Sequence, residues 1–158
     1  MRARVVLVSP FVYEQASQTT TQTIIEVANL SLNNAVLGNI EEGETILYTA
    51  GNTSAVSNIL SVTTTKANVY LYFNTDLDAQ SGNYNTYQIE VIADTVPGGS
   101  GVGGTIETLT IGSPDSASGI ALDVTGTYVF DFQVTTSAKP VSGNQGTTVN
   151  ITVTAESS

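Results

Sequence analysis

Apolar and polar residues take turns along most of this chain, and a period of two fits a pleated strand with one face buried. From Tyr128 the alternate positions are Tyr128, Phe130, Phe132 and Val134, with Val129, Asp131 and Gln133 between them. Val149, Ile151, Val153 and Ala155 are separated by Asn150, Thr152 and Thr154. Val69, Leu71 and Phe73 alternate with Tyr70, Tyr72 and Asn74, and Tyr87, Ile89, Val91 and Ala93 with Gln88, Glu90 and Ile92. Shorter strands are expected at Ile24–Leu32, Thr45–Thr49, Ile59–Thr64, Ile106–Ile111 and Ile120–Val124. Val, Ile and Thr dominate these runs, and their branched Cβ suits a half-buried sheet surface better than a helix. No stretch carries an apolar stripe at helical spacing for more than about one turn. The chain is all-β.

Turn signals separate the runs: Leu37-Gly38-Asn39, Glu42-Gly43, Ser81-Gly82-Asn83, Ser113-Pro114-Asp115 and Ser142-Gly143-Asn144. Nine or so short strands divided in this way predict a two-sheet sandwich with jelly-roll or Greek-key connections. At 158 residues, 41% of them hydrophobic, the chain can enclose one sizeable core. Pro97–Gly104 is glycine-rich but has strands expected on both sides, so it reads as a hairpin tip. A phosphate cradle would need a following helix and a nearby base.

Composition narrows the chemistry. Four basic against fourteen acidic side chains give a net charge of −10, which excludes the clustered cations that a nucleic-acid partner requires. There is no Cys and no His, so thiol and imidazole catalysis and the common zinc ligands are absent. Charged residues make up only 11% of the chain, against ~25% in average soluble domains. A cysteine-free acidic domain with an uncharged polar surface reads as extracellular or displayed at the cell surface. Met1–Arg4 followed by Val5–Val8 starts like a secretion signal, but Ser9-Pro10 interrupts it too early, so a signal peptide is expected to have been removed. No run approaches the ~20 apolar residues of a membrane span.

Several constellations carry candidate chemistry. Asn74, Asp76 and Asp78 place oxygen ligands at alternate positions, a pattern that suits a hard cation such as Ca²⁺. The loop lacks the Gly and Glu of an EF-hand, having Ala79 and Asn85 there, and a solvated acidic turn is the plainer reading. Glu41, Glu42 and Glu44 could supply an acid/base pair, but adjacent carboxylates in a turn are normally just hydrated, and the chain reads as non-enzymatic. Asn29, Asn52 and Asn150 begin N-glycosylation triplets. Tyr70, Tyr72, Tyr84 and Tyr87 fall close together in sequence and could form a sugar-stacking platform or pack as core and interface.

Two segments carry a family likeness. The first is Ile25-Glu26-Val27-Ala28-Asn29-Leu30-Ser31-Leu32 with Leu37-Gly38-Asn39-Ile40-Glu41-Glu42-Gly43-Glu44-Thr45. The second is Tyr128–Val134 followed by Asn144-Gln145-Gly146 and the closing strand to Glu156. Together they resemble the TasA/camelysin superfamily of extracellular fibre subunits, with the compact archaeal bundling pilins the nearest likeness. The resemblance implies a secreted jelly-roll subunit that polymerises when a terminal strand completes the neighbour's sheet. It also implies possible bundling between filaments, and calcium use as in cannula-like members.

The N-terminal residues fit that expectation. Arg2, Ala3, Arg4, Val5, Val6, Leu7 and Val8, continuing through Phe11, Val12 and Tyr13, form the expected donor strand. Beyond the arginines, both faces of Ala3–Val8 are apolar, so a solvated strand here would be an aggregation hazard and calls for cover on each side. The expected organisation is therefore a donor strand and linker at 1–18 and a jelly-roll-like two-sheet β-sandwich at 19–158. The expected partner is a second copy of the chain. A secreted carbohydrate-binding or adhesin module acting as a monomer is the alternative, with a viral coat subunit third.

Overall fold

The computed structural model describes residues 27–32, 37, 40–48, 59–140 and 148–157. The expected donor strand, residues 2–13, lies outside the described residues, as does Asn52. Nine strands are found among the described residues: β1 (Val27–Leu32), β2 (Thr45–Tyr48), β3 (Ile59–Thr64), β4 (Val69–Thr75), β5 (Tyr84–Thr95), β6 (Thr105–Thr110), β7 (Ile120–Leu122), β8 (Gly126–Ala138) and β9 (Ile151–Ser157). Each falls on a run marked by alternation. The one helical piece among them is a short 3-10 segment, Leu77–Gly82, that carries the chain from β4 to β5.

The strands form two antiparallel sheets. The larger has the order β1-β3-β8-β5-β6, with β2 also paired to β8; the smaller has the order β7-β4-β9. β8 organises the larger sheet. It pairs with β5 from Val129 to Ala138 on one side, and on the other with β3 from Gly126 to Asp131 and with β2 from Val134 to Ser137. Its alternation is nearly complete, with Tyr128, Phe130, Phe132 and Val134 buried and Val129, Asp131, Gln133 and Thr135 half-buried on the outer face.

The buried face of β4 supplies Val69, Leu71 and Phe73 from the opposite sheet. The Phe73 and Phe132 rings meet edge to face with centroids 6.2 Å apart and planes at 86°, so the two sheets interlock through aromatic side chains. Burying a side chain of this size contributes ~1.5–3 kcal/mol, and Leu60, Val62, Leu77, Val91, Leu109 and Leu122 add theirs around it. The core follows directly from the period-two pattern.

Connections that cross between sheets are pinned by side chains. Tyr128 at the start of β8 donates its hydroxyl to the Val124 carbonyl at 2.7 Å and accepts the Val124 N–H at 3.1 Å. That closes the β7–β8 crossing in the manner of the tyrosine corner of other sandwiches. Gly119, just before β7, has a different job. A Cβ there would lie 2.8 Å from the Tyr70 Cβ and 2.8 Å from the Tyr72 ring, so only glycine lets this segment approach β4.

Candidate functional site

The acidic loop is built as three separate clamps. Asp76, between β4 and the 3-10 segment, accepts the Asn150 backbone N–H at 2.6 Å on one carboxylate oxygen and the Asn150 side-chain amide at 3.0 Å on the other. Asp78 accepts the Gly112 N–H at 2.6 Å. The Asn74 amide donates to Asp115 at 2.6 Å, and the same Asp115 oxygen accepts the Thr75 N–H at 3.3 Å. The candidate ligands thus reach three different segments of chain. Among the described residues, no three Asp, Glu, His or Cys side chains gather in a group that could hold a metal. The arrangement ties β9, the turn after β6 and the loop before β7 to the end of β4.

Asn150, one of the glycosylation candidates, is exposed beside the half-buried Val149 and Ile151, with its amide engaged by Asp76. Asn29 lies in β1 opposite Thr63 of β3. Glu41, Glu42 and Glu44 occupy a tight exposed turn in which the Glu44 N–H donates to the Glu41 carbonyl at 3.0 Å and the Glu44 carboxylate accepts the Glu41 N–H at 3.0 Å. Gly43 at φ +75° closes that turn. A carboxylate occupied by its own turn is poorly placed for acid/base work on a substrate.

The four tyrosines expected to cluster are divided between the sheets. Tyr70 and Tyr72 stand on the outer face of β4, Tyr72 with 37% of its surface exposed. Tyr84 and Tyr87 belong to β5 in the larger sheet, their rings edge to face at 5.0 Å. The 3-10 segment between β4 and β5 causes the separation, because it passes the chain from one layer to the other. Burial, aided by the nearby Tyr84, Tyr48 and Asp76, pushes the Tyr87 hydroxyl up to about 12. Tyr87 is a core residue rather than part of a ligand platform.

The feature that sequence reasoning missed lies on one open side of the sandwich. Among the described residues the smaller sheet is three strands wide, and no strand pairs with the far edge of β7. Between that edge and the β5–β6 corner is a cleft of about 240 Å³. Ile120, Ala121 and Leu122 of β7 line it together with Ala93, Ile106, Tyr128 and Phe130 of the larger sheet. The β5–β6 loop reaches its mouth through Pro97, Ser100 and Gly101. Val124, on the rim, is 48% exposed, and Val102 in the adjoining loop is 55% exposed. Asp123 contributes one negative charge to the same rim. No protein-family model matches this sequence, and no curated protein matches it.

Proposed function

We propose that this chain is a structural subunit of an extracellular filament, of the pilus or biofilm-matrix kind, that polymerises head to tail by donating its N-terminal strand to the next copy. The reading is non-enzymatic, with jelly-roll connectivity as in the family it resembles. The observation that supports it is the smaller sheet, three strands wide among the described residues, with a cleft lined by residues of β7. Among the described residues the β7 edge has no neighbouring strand, and an N-terminal segment apolar on both faces beyond its arginines would supply the other half of a propagating contact. Donor and acceptor surfaces differ, so such a contact is heterologous and grows as an open fibre. The cysteine-free, sparingly charged composition supports a setting outside the cell, and among the described residues no helix is long and apolar enough to cross a membrane.

Negative-stain microscopy of concentrated protein tests the proposal. Filaments are expected from the full chain and soluble monomers after deletion of residues 2–13. Filaments of normal width from the truncated chain would refute donation by this segment. The second reading, a carbohydrate-binding or adhesin module, is favoured by Tyr70 and Tyr72 side by side on the outer face of β4. It expects a monomer that binds glycans and loses that binding with Tyr72→Ala.

A further inference from the structure

We infer that the outer face of the smaller sheet binds a neutral glycan, with one pyranose ring stacked on Tyr72 and its hydroxyls reaching the Asn74–Asp115 pair. The inference rests on the carbohydrate reading, is independent of the filament reading, and adds the site, its contacts and the ligand class. A glycine makes the platform. Continuing the pairing of Leu71 with Ile120 by one residue puts Tyr72 opposite Gly119, on the face turned away from the buried Leu71 and Phe73. A Cβ on Gly119 would lie 2.8 Å from Cζ and 3.0 Å from the hydroxyl oxygen of Tyr72. The ring therefore leans across the strand boundary and covers the bare glycine, as an aromatic residue does when paired with glycine across a sheet. Tyr70 closes the space beside it, its Cβ 2.8 Å from the same point. A ring laid down in this way rests one face on the sheet and turns the other to water, and 37% of Tyr72 is exposed.

Polar groups stand where the rim of a stacked sugar would fall. Asn74 follows Tyr72 on the same face, ~6.5 Å further along β4, a span that a pyranose with its hydroxyls bridges. The Asn74 amide donates to one Asp115 oxygen, which also accepts the Thr75 N–H. The other oxygen of this exposed carboxylate accepts no hydrogen bond from a described residue. A carboxylate fixed through one oxygen offers the second as a preset acceptor, and a bond to it from a sugar hydroxyl is charge-assisted. Exposed Thr152 and Thr154 of β9 lie opposite Asn74 and Tyr72, so the surroundings of the ring are polar and suit a sugar better than the apolar centre of a protein interface. Charge selects the class. Asp115 and Glu156, the latter opposite Tyr70, are acidic, and β4, β7, β9 and residues 113–119 contain no Lys or Arg. An acidic sugar is repelled by that arrangement and a neutral one is not.

Saturation-transfer NMR tests the site with the full chain, since it observes the ligand whether the protein is a monomer or an assembly. The probes are cellohexaose, mannohexaose and chitohexaose, with trigalacturonate as the acidic comparison. At least one neutral probe should receive saturation, most strongly at the C–H protons of one ring face. Tyr72→Phe keeps the ring and should bind within about twofold of the parent, whereas Tyr72→Ala should weaken binding about tenfold. Circular dichroism checks that both variants keep the fold. Neutral-probe binding that survives Tyr72→Ala would overturn this site and leave the carbohydrate reading standing. Trigalacturonate binding as tightly as the neutral probes would overturn the ligand class. No transfer to any probe would overturn both the site and the carbohydrate reading.

Discussion

Replacing Asp76 with Ala separates a structural clamp from a cation site. Its carboxylate accepts two hydrogen bonds from Asn150, at 2.6 and 3.0 Å, and Asn150 immediately precedes β9. A hydrogen bond to a charged group contributes ~1.5–3 kcal/mol net, and exposure favours the lower end. The second bond goes to a freely rotating, exposed amide and adds less. Asp76→Ala should therefore cost about 2 kcal/mol, which in a domain of this size lowers Tm by ~4–8 °C. Asp76→Asn retains one acceptor and should lose about half as much. The assay is thermal unfolding followed by circular dichroism, once with a chelator and once with millimolar Ca²⁺. The clamp acts without metal, so the loss should be the same in both. A Tm unchanged by Asp76→Ala in chelator would refute the clamp. A rise in the parent's Tm with Ca²⁺ that Asp76→Asn together with Asp78→Asn abolishes would establish the cation reading in its place.

Two further outcomes follow from packing and burial. Gly119→Ala should destabilise by ~1–3 kcal/mol, because the new methyl meets the Tyr70 Cβ on a fixed strand as well as the movable Tyr72 ring; denaturant unfolding measures it, and an unchanged midpoint would remove the close approach. Tyr87, pushed up to about 12 from an ordinary value near 10, holds its proton in the fold after the unfolded chain has released it. Its contribution is complete below pH 10 and is lost as pH rises towards 12, so alkaline unfolding should fall in that window and Tyr87→Phe should weaken the dependence. An absorbance titration in which all tyrosines ionise together in the intact fold would contradict it.

Strand positions were open to sequence reading because burial on one face leaves a local signature of period two. Ile59–Thr64 coincides with β3, and Tyr128–Val134 lies within β8, whose extra turns continue through Thr136 and Ala138, polar and small residues that are nonetheless buried. The assignment of strands to sheets was not legible. Tyr72 and Tyr84 are close in sequence yet belong to different layers, and the intervening 3-10 segment has no distinctive pattern. The acidic loop shows the same limit from the other side. Asp76 and Asp78 read as a solvated acidic turn, with a cation site as the alternative, but each carboxylate accepts an N–H from a remote residue, Asn150 and Gly112. Spacing reports which side chains share a face; it carries no information on which distant N–H will meet them.

The position of β8 also governs the order in which the molecule can be made. Before residues 126–138 leave the ribosome, the described pairings open to the chain are β1 with β3, β5 with β6, and β4 with β7. These three ribbons share no strand, and two-stranded ribbons are marginal in water. Joining β2, β3 and β5 waits for β8, and the pairing of β4 with β9 waits longer still. Assembly of the larger sheet is thus deferred until β8 is available, with the long-range closures that make all-β chains slow. Until then each of these ribbons exposes unpaired edges, so the nascent chain is at its most adhesive before β8 joins them.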